Sequence, residues 1–471
     1  TALDYIRGLG VTHVQILPAF DFETVDEKNQ KAQYNWGYDP DNYNVPEGSY
    51  AVSPYDGAVR IQEMKQMVLA LHSRGIGVIM DVVFNHTYRR DDSNLQKIVP
   101  GYYYRSDETG YTNGSGCGNE VASDRPMVQK LIVDSLIYWA KEYHIDGFRF
   151  DLMGVLDIDT MNVIAERLKE IRPDIYLYGE GWNGGPSSLA EEKRAFKASA
   201  KKMPGIGMFN DDIRDTIKGS VFYDDHLGFV NGGTHLENAL RYGITGAVAH
   251  PQVDYDAYGS KPWAKEPGQS INYVSCHDNY TLWDKLSVSC PEASEEKKKA
   301  MNRLCAAIVF TSQGVPFIQA GEEFLRSKPL PEKKGFAENS YNMPDAVNSI
   351  KWDNIHEYPD MIAYYKGLMA LRKAHPVFRM QSEAEMTQNL CFLSDTPENV
   401  VAYLLKGKGA DDTPENILVI FNGNDEEILY NLPEGKWKIL VDDKTAGADG
   451  KKNISEKTDV EPLSALVLEK E

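Results

Sequence analysis

Three acidic residues each stand at the end of a stretch that is typical of a short buried strand: Asp151, Glu180 and Asp278. The carboxyl ends of parallel strands form one edge of a sheet, which is where such folds place their active sites. Two carboxyl groups can cleave a glycosidic bond, one as nucleophile and one as acid and base, and a further anion can stabilise positive charge on the sugar ring. The pattern therefore indicates glycoside hydrolysis as candidate chemistry.

One of these carboxylates has an arginine two residues before it. Arg149 and Asp151 lie in the stretch 147–154, and side chains two apart on a strand point to the same face. A guanidinium favours the charged form of a neighbouring carboxylate, and an ionised carboxylate is what a covalent nucleophile requires. A purely structural ion pair is the alternative interpretation of Arg149 and Asp151.

Histidines and flat rings accompany the carboxylates. His86 and His277 can donate hydrogen bonds to sugar hydroxyls, and aromatic rings can cover the apolar face of a pyranose. The nearby rings are those of Trp36, Tyr38, Trp182, Tyr280 and Trp283. Taken one at a time, these residues are equally compatible with core packing, so only their combination points to a sugar site.

Alternating strands and helices must position these residues. We predict helices at 1–9, 59–74, from 126 onwards, 160–171 and 361–374, and strands at 11–17, 77–84, 145–151, 175–180, 206–210, 271–276 and 315–321. The alternation predicts an α/β fold with a parallel sheet, and the length suits a (β/α)8 TIM-type barrel with insertions. An open doubly wound sheet would place ligands at the same strand ends.

The pattern changes near residue 380. Short alternating segments separated by Gly, Asp, Asn and Pro predict an all-β sandwich over 380–471, after a catalytic barrel over 1–379. The C-terminal domain carries few candidate catalytic groups.

Composition excludes several classes of protein. A net charge of −20 disfavours nucleic acid and anionic membranes as partners, and no apolar run is long enough to span a bilayer. The five cysteines are scattered, which argues against a zinc site or a disulfide framework. We predict no metal ligands and no required cofactor; the acidic loops leave calcium open, although no EF-hand pattern supports it.

Four segments in order resemble the sequence regions of the α-amylase family of glycoside hydrolases: Asp81–His86, Gly147–Asp151, Tyr178–Trp182 and Val274–Asn279. Within that family, Tyr34–Pro40 (Tyr-Asn-Trp-Gly-Tyr-Asp-Pro) resembles the signature of type I pullulanases. The segments at 208–215 and 340–345 also look like pullulanase segments, so the resemblance covers nearly the whole chain.

The resemblance implies a role for each matching position. Asp151 would be the nucleophile, Glu180 the acid and base, and Asp278 the stabiliser of the oxocarbenium-like sugar. Arg149 would hold Asp151 ionised. The remaining expected substrate contacts are His86, His277, Tyr38, Trp182, Asn342 and Asp345.

The expected function is hydrolysis of α-1,6 branch linkages in pullulan, starch or limit dextrins by a monomer. An isoamylase-like or glycogen-debranching hydrolase and a non-hydrolytic α-glucan-binding relative remain alternatives. The barrel of the family opens with a strand before its first helix, whereas this chain starts at that helix. We therefore expect an N-terminally truncated barrel. The odd cysteine count favours the cytoplasm, unless a secretion signal was lost with the missing part.

Overall fold

Helices alternate with parallel strands through the first part of the chain. The computed structural model describes residues 1–258, 260–409 and 414–471. They form two units: unit 1 comprises 1–7, 11–209 and 341–345, and unit 2 comprises 8–10, 210–340 and 346–471.

The elements up to residue 209 are nine strands and five α-helices. The strands are β1 (His13–Ile16), β2 (Phe20–Phe22), β3 (Pro40–Pro46), β4 (Gly77–Val82), β5 (Ser106–Asp107), β6 (Gly110–Tyr111), β7 (Gly147–Phe150), β8 (Tyr176–Gly179) and β9 (Ile206–Phe209). The helices are α1 (Ala2–Leu9), α2 (Gly57–His72), α3 (Asn94–Ile98), α4 (Pro126–Glu142) and α5 (Ile158–Ile171).

Five of these strands form the parallel sheet of unit 1, in the order β1-β4-β7-β8-β9. The register places Asp81 of β4 beside Arg149 of β7, and Arg149 beside Tyr178 of β8. Asp151 and Glu180 directly follow β7 and β8, so the predicted strands deliver both carboxylates to the same edge of the sheet.

Apolar faces hold the helices of unit 1 in place. On α4, Val128, Ile132 and Leu136 are buried, as their spacing predicts. On α2, Met64, Val68 and Leu71 are buried, whereas Ile61, which precedes them at the same helical spacing, is 37% exposed.

Unit 2 combines helices, a parallel strand pair and antiparallel strands. From residue 210 the helices are α6 (Asp211–Lys218), α7 (Glu237–Ile244), α8 (Tyr255–Tyr258), α9 (Leu282–Ser289), α10 (Glu295–Thr311), α11 (Asp345–Asn348), α12 (Asn354–Glu357), α13 (Pro359–Ala374) and α14 (Glu383–Asn389). The strands are β10 (Ser270–Asn272), β11 (Val315–Pro316), β12 (Leu390–Phe392), β13 (Val400–Lys408), β14 (Pro414–Asn422), β15 (Ile428–Asn431), β16 (Trp437–Val441), β17 (Asn453–Ile454), β18 (Lys457–Val460) and β19 (Ser464–Lys470).

The parallel pair β10 and β11 is shorter than the strands predicted at 271–276 and 315–321. β11 ends at Pro316, which has no backbone N–H to donate to a ladder. Tyr273 and Val274 follow β10 and are still buried, so their apolar character reflects burial beyond the end of the ladder.

The antiparallel strands build the all-β part. Six lie in the order β12-β13-β14-β19-β16-β17, and β15 pairs with β18. Both sheets contribute to one apolar core: Val400, Ala402, Leu418, Ile420, Tyr430, Leu432, Trp437, Val460, Leu466 and Leu468. The expected class, an α/β fold with parallel strands followed by an all-β domain, is confirmed, while the boundary at 379/380 stays a prediction. None of the described helices combines the length and apolarity that crossing a bilayer demands.

Candidate active site

A single buried guanidinium organises the acidic groups of unit 1. Arg149 on β7 is 1% exposed. Its Nη1 donates to Asp81 Oδ1 at 2.9 Å and to Asp151 Oδ1 at 3.0 Å, and its Nη2 donates to Glu180 Oε1 at 2.5 Å. The two carboxylates expected to act on the glycosidic bond are therefore held by opposite nitrogens of one planar side chain.

Burial and charge oppose each other in this cluster. Burial acts to lower the pKa of Arg149, but Asp81, Glu180 and Asp151 raise it, and the pKa lies well above its usual value. Burial raises the pKa of Asp81 to about 7, against the opposing effects of Arg149 and of the Tyr38 hydroxyl. The arginine therefore keeps its charge, and that charge is what makes burial of three carboxyl groups tolerable.

Asp151 is fixed at both carboxylate oxygens. Arg149 binds Oδ1, and the Nδ2 of Asn85 donates to Oδ2 at 2.8 Å and to the Asp151 carbonyl at 2.9 Å. The side chain is 13% exposed, whereas that of Arg149 is 2% exposed. A carboxylate that is held in one orientation yet reachable from solvent is suited to attack an incoming sugar.

Glu180 directly follows β8, and its side chain is 8% exposed. Its Oε1 accepts from Arg149, and its Oε2 accepts from the backbone N–H of Leu152 at 2.9 Å. Leu152 has φ 39°, a left-handed conformation that non-glycine residues adopt at a cost of about 1–3 kcal/mol. The N–H of Leu152, in the strained turn after β7, thus donates a hydrogen bond to the Glu180 carboxyl group.

Gly154, in the same turn, is hydrogen-bonded to the segment that begins at Glu180. Its N–H donates to the carbonyls of Glu180, at 3.1 Å, and Trp182, at 3.0 Å. A Cβ at this position would lie 2.5 Å from the Trp182 carbonyl oxygen and 2.6 Å from the Phe196 ring. Because real Cβ atoms do not approach backbone so closely, a larger residue must displace the chain that carries Glu180.

We therefore expect Gly154→Ala to lower kcat by about tenfold to 10²-fold, since displacements near 1 Å have that effect on catalytic groups. Steady-state kinetics on an α-glucan would measure the loss. Gly57→Ala is the control, because a Cβ at Gly57 meets nothing within 4 Å. Unchanged kcat in Gly154→Ala would show that this contact does not position Glu180.

Tyr38 and His86 both contact this cluster. The Tyr38 hydroxyl donates to Asp81 Oδ2 at 2.7 Å, and the Arg149 guanidinium carbon lies 5.6 Å from the Tyr38 ring centroid. His86 Nδ1 lies 2.6 Å from Asn85 Oδ1. Since Asn85 Nδ2 donates to Asp151, Asn85 Oδ1 is the acceptor and the His86 proton lies on Nδ1. Burial lowers the pKa of His86, while the nearby Asp151 carboxylate and a hydrogen bond to the Tyr38 backbone raise it.

The aromatic signature segment is anchored by a distant part of the chain in unit 1. The backbone N–H of Trp36 donates to the Tyr341 carbonyl at 2.9 Å, and the centroids of the two rings are 6.5 Å apart. Asn342 and Asp345 follow Tyr341 and are both exposed, and Trp182 is half-buried. This link places the 341–345 segment next to the aromatic segment that includes Tyr38.

His277 and Asp278 lie in unit 2, in the turn that follows the buried residues after β10. His277 Nε2 is 3.3 Å from Asp278 Oδ2, and the two side chains are 14% and 47% exposed. Asp278 is thus the most solvent-accessible of the three expected catalytic carboxylates.

Two residues of the site have no role in the sequence-based assignment. Asp81 and Asn85 both belong to the first quoted family segment. Asp81 could have been singled out, because it is the one charged residue in the otherwise apolar stretch 77–84. A carboxylate is rarely buried in a strand without a partner, so its position indicates a buried cation nearby. Its partner depends on the β4–β7 register, which the sequence does not display.

Among the described residues, three groups bring possible metal-ligand atoms within 4.8 Å of one another. They are Cys276, His277 and Asp278; His375, Glu415 and Glu469; and Asp21, Glu27 and Glu47. Only the first includes expected site residues, and the expectation that catalysis needs no cofactor stays a prediction.

Comparison with known proteins identifies the family. Residues 1–98 match the α-amylase catalytic domain, and residues 387–445 match the pullulanase all-β domain. A solved pullulanase of Paenibacillus barengoltzii, complexed with maltohexaose and α-cyclodextrin, is 44% identical, with a TM-score of 0.90 over 99% of this chain and 70% of that one. The chain belongs to the pullulanases of the α-amylase family.

Other pullulanases agree with this assignment. The pullulanase of Bacillus subtilis (strain 168) is 43% identical over 444 residues, which is 94% of this chain and 60% of the relative. The solved pullulanase of Bacillus acidopullulyticus is 43% identical, with a TM-score of 0.92 over 99% of this chain and 55% of that one. The chain thus spans about 60% of the B. subtilis pullulanase. The resemblance read from the four sequence segments and from Tyr34–Pro40 is confirmed.

Proposed function

We propose that this chain carries the catalytic part of a retaining glycoside hydrolase that cleaves α-1,6 branch linkages in pullulan, starch and limit dextrins. The observation that carries the proposal is the clamp of Asp151 and Glu180 by opposite nitrogens of Arg149. Two carboxyl groups fixed side by side at neighbouring strand ends are what double displacement at a sugar carbon requires.

In the proposed reaction, a carboxylate oxygen of Asp151 attacks the anomeric carbon while Glu180 donates a proton to the departing glycosidic oxygen. This forms a glycosyl ester on Asp151. Glu180 then takes a proton from water, which attacks the same carbon and releases Asp151, so the anomeric configuration is retained. We assign Asp278 the stabilisation of positive charge on the ring in both steps. A retaining mechanism expects the Asp151 and Glu180 carboxyl groups about 5–5.5 Å apart.

The proposed ligands are α-glucans, which we expect to stack on Tyr38 and Trp182. In this scheme His86 and His277 bind sugar hydroxyls, and Asn342 and Asp345 make further polar contacts. Solved relatives with maltohexaose, maltotetraose and maltotriose support this class of ligand. No cofactor is needed in the scheme, because both proton transfers use Glu180.

Pullulan separates the leading function from its nearest alternative. The isoamylase SU1 of Zea mays is 27% identical to this chain, against 43% for the B. subtilis pullulanase, which favours pullulanase activity. We expect digestion of pullulan to release maltotriose, resolved by anion-exchange chromatography. Intact pullulan with debranched glycogen would instead indicate an isoamylase-like enzyme, and glucan binding without cleavage of either would indicate a binding protein.

A further inference from the structure

The side chain of Asp278 is half exposed, so its position depends on the backbone that carries it. Asn279 has φ 59°, a left-handed conformation that turns the chain sharply after Asp278. We call His277–Asn279 the 277–279 turn. Hydrogen bonds to its backbone therefore decide where the Asp278 carboxylate points.

One ammonium binds the carbonyls on both sides of Asp278. Lys328 Nζ donates to the Asn279 carbonyl at 2.7 Å and to the His277 carbonyl at 3.3 Å. It also donates to the Glu338 carbonyl at 3.4 Å, so three carbonyls surround the three donors of the ammonium. Lys328 is only 1% exposed.

Lys328 is itself fixed by a buried carboxylate. Its backbone N–H donates to Asp284 Oδ2 at 2.8 Å, and the Ser327 hydroxyl donates to Asp284 Oδ1 at 2.5 Å. Asp284 is fully buried in the first turn of α9, which Thr281 caps. Lys328 is therefore held in one place. Burial of its ammonium costs free energy, and the hydrogen bonds to the three carbonyls offset that cost.

We propose that Lys328 is a positioning residue for Asp278: its ammonium holds the 277–279 turn so that the Asp278 carboxylate faces the sugar. The proposal rests on the function proposed above. This role is more specific than general stabilisation, because the His277 and Asn279 carbonyls that Lys328 binds lie directly before and after Asp278.

The charge of Lys328 makes the proposal sensitive to pH. The pKa of Lys328 is lowered to about 8, mainly by burial and also by the nearby Arg326, against the opposing effects of Asp284, Cys276 and Asp278. Well below pH 8 the Lys328 side chain is protonated. As the pH rises through 8, it loses a proton and a donor, so kcat of the wild type should fall in this range.

The test compares Lys328→Met with Lys285→Met. Lys285 is also 1% exposed and donates to two loop carbonyls, those of Tyr223 and Asp224, but it does not bind the 277–279 turn. We expect Lys328→Met to lower kcat on pullulan by about 10²-fold with KM within threefold, and to abolish the fall in kcat near pH 8. In Lys285→Met, kcat and the fall in kcat near pH 8 should both match those of the wild type.

Amide hydrogen exchange of residues 277–280 provides a readout that does not need activity. Exchange there should be faster in Lys328→Met than in Lys285→Met when both are measured on the whole chain. Equal kcat losses in the two variants, or an unchanged fall near pH 8 in Lys328→Met, would overturn the proposal. If the wild type cleaves no α-glucan, the proposed function fails, and unchanged exchange at 277–280 would then refute the positioning role separately.

Discussion

Asp151→Asn is expected to lower kcat on pullulan by about 10⁴-fold or more. An amide cannot form the glycosyl ester, and loss of a covalent nucleophile in other enzymes has effects of this size or greater. Arg149 retains Asp81 and Glu180 as partners in the variant, so the fold should survive. Maltotriose release measures the loss, and circular dichroism with thermal unfolding checks that the chain remains folded.

Asp159→Asn is the matched control for this substitution. Asp159 is exposed in the first turn of α5, only eight residues further along the chain, and the same change of charge there should leave kcat within twofold. A loss smaller than tenfold in Asp151→Asn would remove Asp151 from the role of nucleophile. Glu180→Gln, measured in parallel, tests whether both members of the clamped pair are needed.

Arg149→Met is expected to destabilise the protein by about 3–5 kcal/mol. Removing one partner of a buried ion pair leaves uncompensated charge, and here a single substitution leaves Asp81, Asp151 and Glu180 without their shared cation. Urea unfolding would measure the change. Activity should fall as well, because the carboxylates then repel one another and lose their fixed spacing.

A double-mutant cycle tests whether uncompensated negative charge causes the loss of stability in Arg149→Met. Asp81→Asn removes one buried negative charge, so in the Arg149→Met background it should recover part of the lost stability, although alone it destabilises. Arg167→Met is the surface control: Arg167 is 53% exposed in its pair with Glu170, and its loss should cost less than about 1 kcal/mol. Strictly additive effects of Asp81→Asn and Arg149→Met would contradict the shared-cation interpretation.

The sequence predicts most of what local pattern controls. The apolar face of α4 follows from the spacing of Val128, Ile132 and Leu136, and β7 follows from a short apolar run before Asp151. What it could not provide are contacts set by register and long-range packing. Asp81 meets Arg149 because β4 and β7 pair in one register, and Lys328 reaches the 277–279 turn from about 50 residues away.

The family segments carry residues whose partners only the fold reveals. Asn85 stands beside His86 in the sequence, yet its side-chain amide donates to Asp151, which follows the neighbouring strand β7. The remaining Asn85 oxygen then accepts from His86 and thereby sets the tautomer of His86. Strand ends are also hard to read from composition. Tyr273 and Val274 have the apolar character of a strand, but they owe it to burial outside the ladder.

The bond between Trp36 and Tyr341 has a consequence for biosynthesis. A ribosome makes Tyr341 about 300 residues after Trp36, which at about 5–20 residues per second is a delay of about 15–60 s. During that time the backbone N–H of Trp36 lacks the Tyr341 carbonyl that accepts its hydrogen bond in the folded chain. Unit 1 can therefore be completed only after Tyr341 has been made, long after the aromatic segment.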